Sequence, residues 1–267
     1  MALASAQLAR SKVPEVTVVF WVIKVLTTGM GESASDWLLN RGAGVADIGL
    51  AIPLSLDVGI FVLALILQFA VRRYIPWVYW LAVVAVSLFG TIAADIVFFI
   101  GLPLWVSSTF YASALAVNFA IWYVSEKTLS IHSIYTRRRE AFYWITVFLT
   151  FALGTALGDL TAVSFKLGFL TSGIMFAVLI AVPAIAHWRF GMNAIVAFWF
   201  AYVLTRPLGA SFADWFGASR ADSGLGLGAG WVALALTLII VGFVGYLATS
   251  QRAHKQQQSP GAIAPNA

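Results

Sequence analysis

Long apolar runs alternate with short polar ones along this chain, and the runs have the length of membrane helices. Crossing the hydrocarbon layer takes about 20 consecutive apolar residues in a helix. Eight such segments can be marked, at about 14–38, 46–70, 76–100, 102–124, 141–163, 167–187, 192–216 and 229–249 by that criterion. The polar positions inside them are not scattered. An aromatic-Trp pair is followed ten residues after the Trp by Gly and fifteen after it by Asp, four times over. The copies are Phe20-Trp21, Gly31, Asp36; Tyr79-Trp80, Gly90, Asp95; Tyr143-Trp144, Gly154, Asp159; and Phe198-Trp199, Gly209, Asp214. Four of the seven Asp in the protein occupy this one position.

The repeat lies on the first, third, fifth and seventh segments, so each unit is one motif helix and one return helix. The fold expected is all-α, a polytopic membrane protein of eight transmembrane helices built as four parallel two-helix repeats. A single membrane domain at 13–250 divides into repeats at about 13–73, 74–136, 137–190 and 191–250. Residues 1–12 form a short leading segment without the apolar core of a removable signal, and 251–267, rich in Gln with two prolines, reads as a disordered tail.

Composition agrees. Hydrophobic residues make up 61% and charged residues 10% of the 267, with a mean hydropathy of +0.91. A soluble domain would carry about a quarter charged residues. The net charge of +5 does not point to nucleic acid, because the basic residues collect in alternate loops instead of one patch. Arg10, Lys12, Arg72, Arg73, Lys127, Arg137, Arg138, Arg139, Arg189, Arg252 and Lys255 fall on one side, against Arg41, Lys166 and Arg220 on the other. The bias puts both termini in the cytoplasm. There is no cysteine and only three histidines, far apart, so any metal held here would meet oxygen ligands. No phosphate-binding loop, nucleophile elbow, zinc-protease or dinucleotide motif occurs, and no Ser or Thr has a nearby His base. The chain is read as no enzyme and as needing no cofactor.

On a helix, positions +3, +7, +10, +11, +14 and +15 from the Trp fall in one arc of roughly 140°. The first repeat places Lys24, Thr28, Gly31, Glu32, Ser35 and Asp36 there; the second Val83, Ser87, Gly90, Thr91, Ala94 and Asp95. The third places Val147, Phe151, Gly154, Thr155, Gly158 and Asp159; the fourth Tyr202, Arg206, Gly209, Ala210, Ala213 and Asp214. A polar stripe on an otherwise apolar helix must face the bundle interior. A rise of about 22 Å from Trp to Asp sets the carboxylates toward the far side of the layer.

Each residue type has a functional and a structural reading. Gly31, Gly90, Gly154 and Gly209 either let helices approach closely or loosen the helix to expose carbonyl oxygens near the Asp. The Asp either cap helix ends or share a polar cavity, joined by Glu32 and by Asp57 on the second segment. Repeats one and four each carry a basic residue, Lys24 and Arg206, and in a ring they would be neighbours at the closure. These two are expected to pair with Glu32, Asp36, Asp57 or Asp214 as structural or gating bridges, although Lys24 could instead snorkel to the interface. Asp95 and Asp159, with Thr91 and Thr155 as added oxygens, are then the candidates for binding an ion or proton. The function expected is transport or export of a small cation across the bilayer. The alternative is a scaffold or sensor in which the charges only lock repeats together. Assembly into a homo-oligomer is left open.

Several strings carry a family resemblance: Lys12 to Thr17, Lys24 through Gly31 and Glu32, Arg138 to Trp144, Phe151 to Thr155, and Thr205 to Ser211. Together they make the chain resemble a bacterial family of multi-pass membrane proteins with four tandem repeats of unknown function, the uncharacterised membrane-anchored proteins. The resemblance runs from Lys12 to about Thr249. It implies a bacterial inner-membrane location and a two-helix unit, and brings no binding residues with it.

Overall fold

The computed structural model describes residues 11–44 and 51–257, and every regular element in them is helical. Eight long helices follow in order: α1 Val18–Gly44, α2 Ala51–Ala70, α3 Pro76–Phe99, α4 Leu104–Glu126, α5 Arg137–Asp159, α6 Phe169–Phe190, α7 Ala194–Gly217 and α8 Ala229–Gln257. Among the described residues six, α3 to α8, are long and apolar enough to cross a membrane on their own composition. The apolar stretch of α2 is shorter, Leu54–Ala70. In α1, Lys24, Glu32, Asp36 and Arg41 lower the hydropathy. Helix α1 is nonetheless packed between α3 and α7 inside the bundle. Its charges Lys24 and Glu32 are buried by protein, the condition under which charges are tolerated at membrane depth.

The four motif helices α1, α3, α5 and α7 close into a ring, each packed on two neighbours, with α7 returning to α1. The return helices stand outside it. Each packs mainly against the motif helix of the following repeat: α2 on α3, α4 on α5, α6 on α7, and α8 back on α1. A sequence repeat is therefore not a packing unit. Each unit buries its outer face under a helix borrowed from the preceding one, so no repeat is complete alone.

The glycines explain why the ring closes so tightly. A side-chain carbon on Gly31 would overlap Ser87, one on Gly90 would come 2.7 Å from Phe151 Cβ, one on Gly154 would overlap Arg206, and one on Gly209 would overlap Thr28. Ser87, Phe151, Arg206 and Thr28 are all the +7 residue of the next repeat, cyclically. The helices remain α-helical through all four glycines. Close approach is the role these positions have, and local unwinding is not.

The end of the ring that carries the Trp residues is filled with aromatic rings. Phe20, Trp21, Tyr79, Trp80, Tyr143, Trp144, Phe198 and Trp199 meet at centroid distances of 5.0–6.3 Å. The chain before α1 lies across this end. Lys12 N–H donates to Ile134 O, and Tyr74 N–H donates to Ser11 O.

Two boundary expectations change. The last helix continues through Gln251 to Gln257, so the tail expected to be disordered begins helically, and 258–267 lie outside the described residues, as do Met1–Arg10. The fifth helix starts at Arg137, because Thr136 caps it by accepting from Arg139 N–H. Lys12, counted above among the basic loop residues of one side, is buried and ion-paired with Glu140, to which Gln68 Nε2 also donates at 3.1 Å.

Candidate functional site

The inward stripe builds the site layer by layer. Lys24, Thr28, Glu32, Ser35, Val83, Ser87, Thr91, Ala94, Val147, Phe151, Thr155, Tyr202, Arg206, Ala210 and Ala213 are all buried, most of them completely. Periodicity alone placed them on one face; the ring turns that face inward.

At the centre lies Arg206, which is fully buried and reaches from repeat four to each of the other three. Its Nη1 donates to Thr28 O at 2.9 Å. Its Nη2 donates to Glu32 Oε2 at 2.6 Å, to Thr155 Oγ1 at 2.7 Å and to Thr91 Oγ1. Glu32, Thr91 and Thr155 occupy +11 in repeats one, two and three, while repeat four offers only Ala210 there. The small residue leaves room for the guanidinium reaching up from +7 on the same helix. Thr91 and Thr155 pass their own protons on, to Ser87 O at 3.0 Å and Phe151 O at 3.3 Å. The planar fork of an arginine suits this set; a lysine could not serve it.

Lys24 is different. Among the described residues its Nζ has no hydrogen-bond acceptor and no ion pair, and it lies 4.0 Å from the Phe151 ring centroid and 4.4 Å from that of Tyr202. It neither bridges to a carboxylate nor snorkels, since the residue is only 1% exposed. The expected pairing with Glu32, Asp36, Asp57 or Asp214 is thus corrected for Lys24. Arg206 has taken Glu32, and the aromatic faces supply a cation–π site instead.

Beyond Arg206, toward the opposite end of the ring from the Trp residues, the repeat Asp converge. Oxygens of Glu32, Asp159 and Asp214 lie within 4.8 Å of one another. Asp95 lies within Coulombic range of Glu32, Asp36 and Asp159, and Asp214 within range of Asp36. Asp36, Asp95, Asp159 and Asp214 are half-buried. Among the described residues none of these four carboxylates forms an ion pair or accepts a hydrogen bond, and the one cation in Coulombic range of all four is Arg206. The capping reading fails for them among the described residues, because no backbone N–H donates to any of the four carboxylates, not even at Asp159, which stands before the segment Leu160–Ser164. Carboxylates near a helix C-terminus also meet the negative end of the dipole, which adds to their mutual repulsion. Just past Asp159 the backbone widens into a π-helical turn, Leu160–Ser164.

Asp57 is not brought to this cluster. It is 2% exposed on α2, outside the ring, and among the described residues neither oxygen is hydrogen-bonded and no charged neighbour acts on it. The roles expected for Thr91 and Thr155 also change, since both accept from Arg206 in place of a mobile cation. In place of separate bridges from Lys24 and Arg206 in repeats one and four, one guanidinium is shared among the four repeats. What sequence reasoning missed is this convergence and the Lys12–Glu140–Gln68 cluster. The signal for the first was Ala210, the one apolar residue at +11, opposite three oxygen-bearing ones.

A ring of membrane-spanning helices with a polar axis, closed by aromatic rings at one end and acidic at the other, defines a multi-pass helical membrane protein built from internal repeats. The four units match, one after another, the Repeat of Unknown Function (DUF347) at residues 19–74, 78–128, 142–193 and 197–253, and the chain belongs to that family. No curated protein and no solved structure matches it.

Proposed function

We propose that this protein carries a small cation across the membrane, with the repeat-borne carboxylates as the binding site. One observation carries the reading: five acidic side chains gather around a single guanidinium, three of them with oxygens within 4.8 Å of one another. The surplus negative charge, set in a ring of low polarity, calls for a positive partner. A calcium-sized ion takes oxygens at about 2.3–2.6 Å, so opposed ligands stand about 4.6–5.2 Å apart. The oxygens of Glu32, Asp159 and Asp214, all within 4.8 Å of one another, are close enough to share one ion, with Asp36 and Asp95 nearby to attract it or complete its shell. Arg206 and Lys24 form the inner floor, a positive barrier between the site and the aromatic closure. The basic-loop bias supports both termini being cytoplasmic, which opens the acidic end outward, and the family resemblance supports a bacterial inner-membrane setting.

A second reading has its own support. The two terminal nitrogens of Arg206 are engaged by Glu32, Thr28, Thr91 and Thr155 and tie all four repeats together, as a scaffold or sensor would require. The test is cation flux in proteoliposomes over a panel of mono- and divalent ions, for wild type, Asp159→Asn and Asp214→Asn. Transport predicts uptake of at least one ion, reduced by at least tenfold in each variant at equal protein incorporation. No flux of any ion by wild type, or full flux by both variants, sinks it. Loss of folded protein in both variants favours the scaffold.

A further inference from the structure

Outside the ring, two adjoining cavities run down the seam between α3 and α8, and no part of the proposed transport uses them. The upper one, ≈270 Å³, is lined by Arg73, Tyr74, Ile75, Pro76, Trp77, Ala248 and Gln251. The lower one, ≈200 Å³, is bounded on α3 by Trp77, Trp80, Leu81 and Val84 and on α8 by Thr237, Ile240, Val241 and Val244, with Met30 at its back. Trp77 belongs to both, and its ring leans on α8, where Cζ2 would stand 3.9 Å from a side-chain carbon on Gly245.

The two cavities differ in chemistry as the two parts of a phospholipid do. The upper holds an exposed guanidinium, a phenol and an amide at the polar edge of the bundle. The lower is walled almost wholly by hydrocarbon and indole. Their joint length also fits. From Ala248 to Thr237 is eleven residues of helix, a rise of about 16 Å, close to the ~15 Å of one leaflet's hydrocarbon. Trp77 is 47% exposed at the junction, the depth at which indoles sit between headgroups and chains.

The seam exists because the ring is not symmetric on its outer face. Helix α8 covers α1 as each return helix covers the next motif helix, and it also leans across to a third motif helix, α3. That extra contact is slight, and the crevice lies along it.

We infer that this crevice is a binding site for one anionic phospholipid of the leaflet on the basic-loop side. Arg73 meets the headgroup phosphate and one acyl chain fills the slot between Trp80 and Val244. The negative headgroup follows from charge: Arg73 lines the pocket, Arg72 stands exposed beside it, and no acidic residue lines either cavity. The chain would touch Met30, two residues from Glu32, so an occupied crevice abuts the helix that carries the ion-pair partner of Arg206. The inference stands whether the protein transports or not.

Native mass spectrometry of the full chain in mild detergent, with palmitoyl-oleoyl phosphatidylglycerol or phosphatidylcholine added, reads it directly. Wild type is expected to retain one phosphatidylglycerol in preference to phosphatidylcholine. Arg73→Gln should weaken that binding about fivefold, the value of one phosphate-facing basic residue. Arg72→Gln, beside the pocket but not lining it, should leave it unchanged. Val241→Trp, at the half-exposed mouth of the slot, should reduce retention of both lipids without altering charge. Equal retention of the two lipids by wild type, unchanged binding in Arg73→Gln, or equal weakening by Arg72→Gln would each overturn the site.

Discussion

Arg206 and Glu32 form a pair in which both side chains are almost wholly out of solvent, 0% and 5% exposed. Removing one partner from such a pair strands the other's charge and costs about 3–5 kcal/mol, while replacing both often costs far less. Glu32→Gln should therefore lower the unfolding midpoint strongly, and Glu32→Gln with Arg206→Met should be less damaging than the two single changes added together. Additive losses in a double-mutant cycle would show that the pair is not coupled as drawn. Lys24 makes the opposite prediction. Its ammonium has no acceptor, only two ring faces, so Lys24→Met keeps the volume and removes a buried charge. The Met variant should melt at or above the wild-type temperature, and a fall of several degrees would mean that the amine has a partner.

Among elements, the decisive contacts are the glycine crossings. Gly154→Ala must push a methyl into the Arg206 stem and to within 2.9 Å of the Pro207 ring, and Arg206 is held by four acceptors and cannot give way. A loss of about 1–3 kcal/mol is expected, as for overpacking in a filled core. Gly59→Ala on α2 meets nothing within 4 Å, so it should be neutral or gain up to about 1 kcal/mol from helix propensity. Thermal melts of the two variants side by side check both, and equal behaviour would remove the crossing argument. Helix positions were legible from hydropathy because a span needs a fixed length of apolar chain. Helix ends were less so. Thr136 capping α5, and the continuation of α8 to Gln257, depend on local hydrogen bonding that hydropathy does not record.

At the scale of the whole molecule, the ring makes first and last helices neighbours. A side-chain carbon on Gly230 of α8 would stand 2.6 Å from Trp37 Cδ1 of α1, and the chain has no cysteine of its own. Trp37→Cys with Gly230→Cys should form a disulfide across the closure, so that a cut in the loop at 127–136 leaves two fragments joined until reduced. Fragments that separate without reductant would exclude closure between α1 and α8. The repeat itself announced four equivalent units, an inward stripe and four Asp at one depth, since spacing along a helix is also spacing around it. It could not announce that each return helix covers the following unit, because side-chain periodicity tells which face is buried and not what buries it. Nor could it tell that Arg206 would reach Glu32 and both threonines while Lys24 met only rings and Asp57 stayed outside. Those outcomes turn on contacts of 2.6–4.4 Å between residues far apart in the chain. The one-dimensional pattern determined class, count, face and depth; the closure of the ring decided which charges meet.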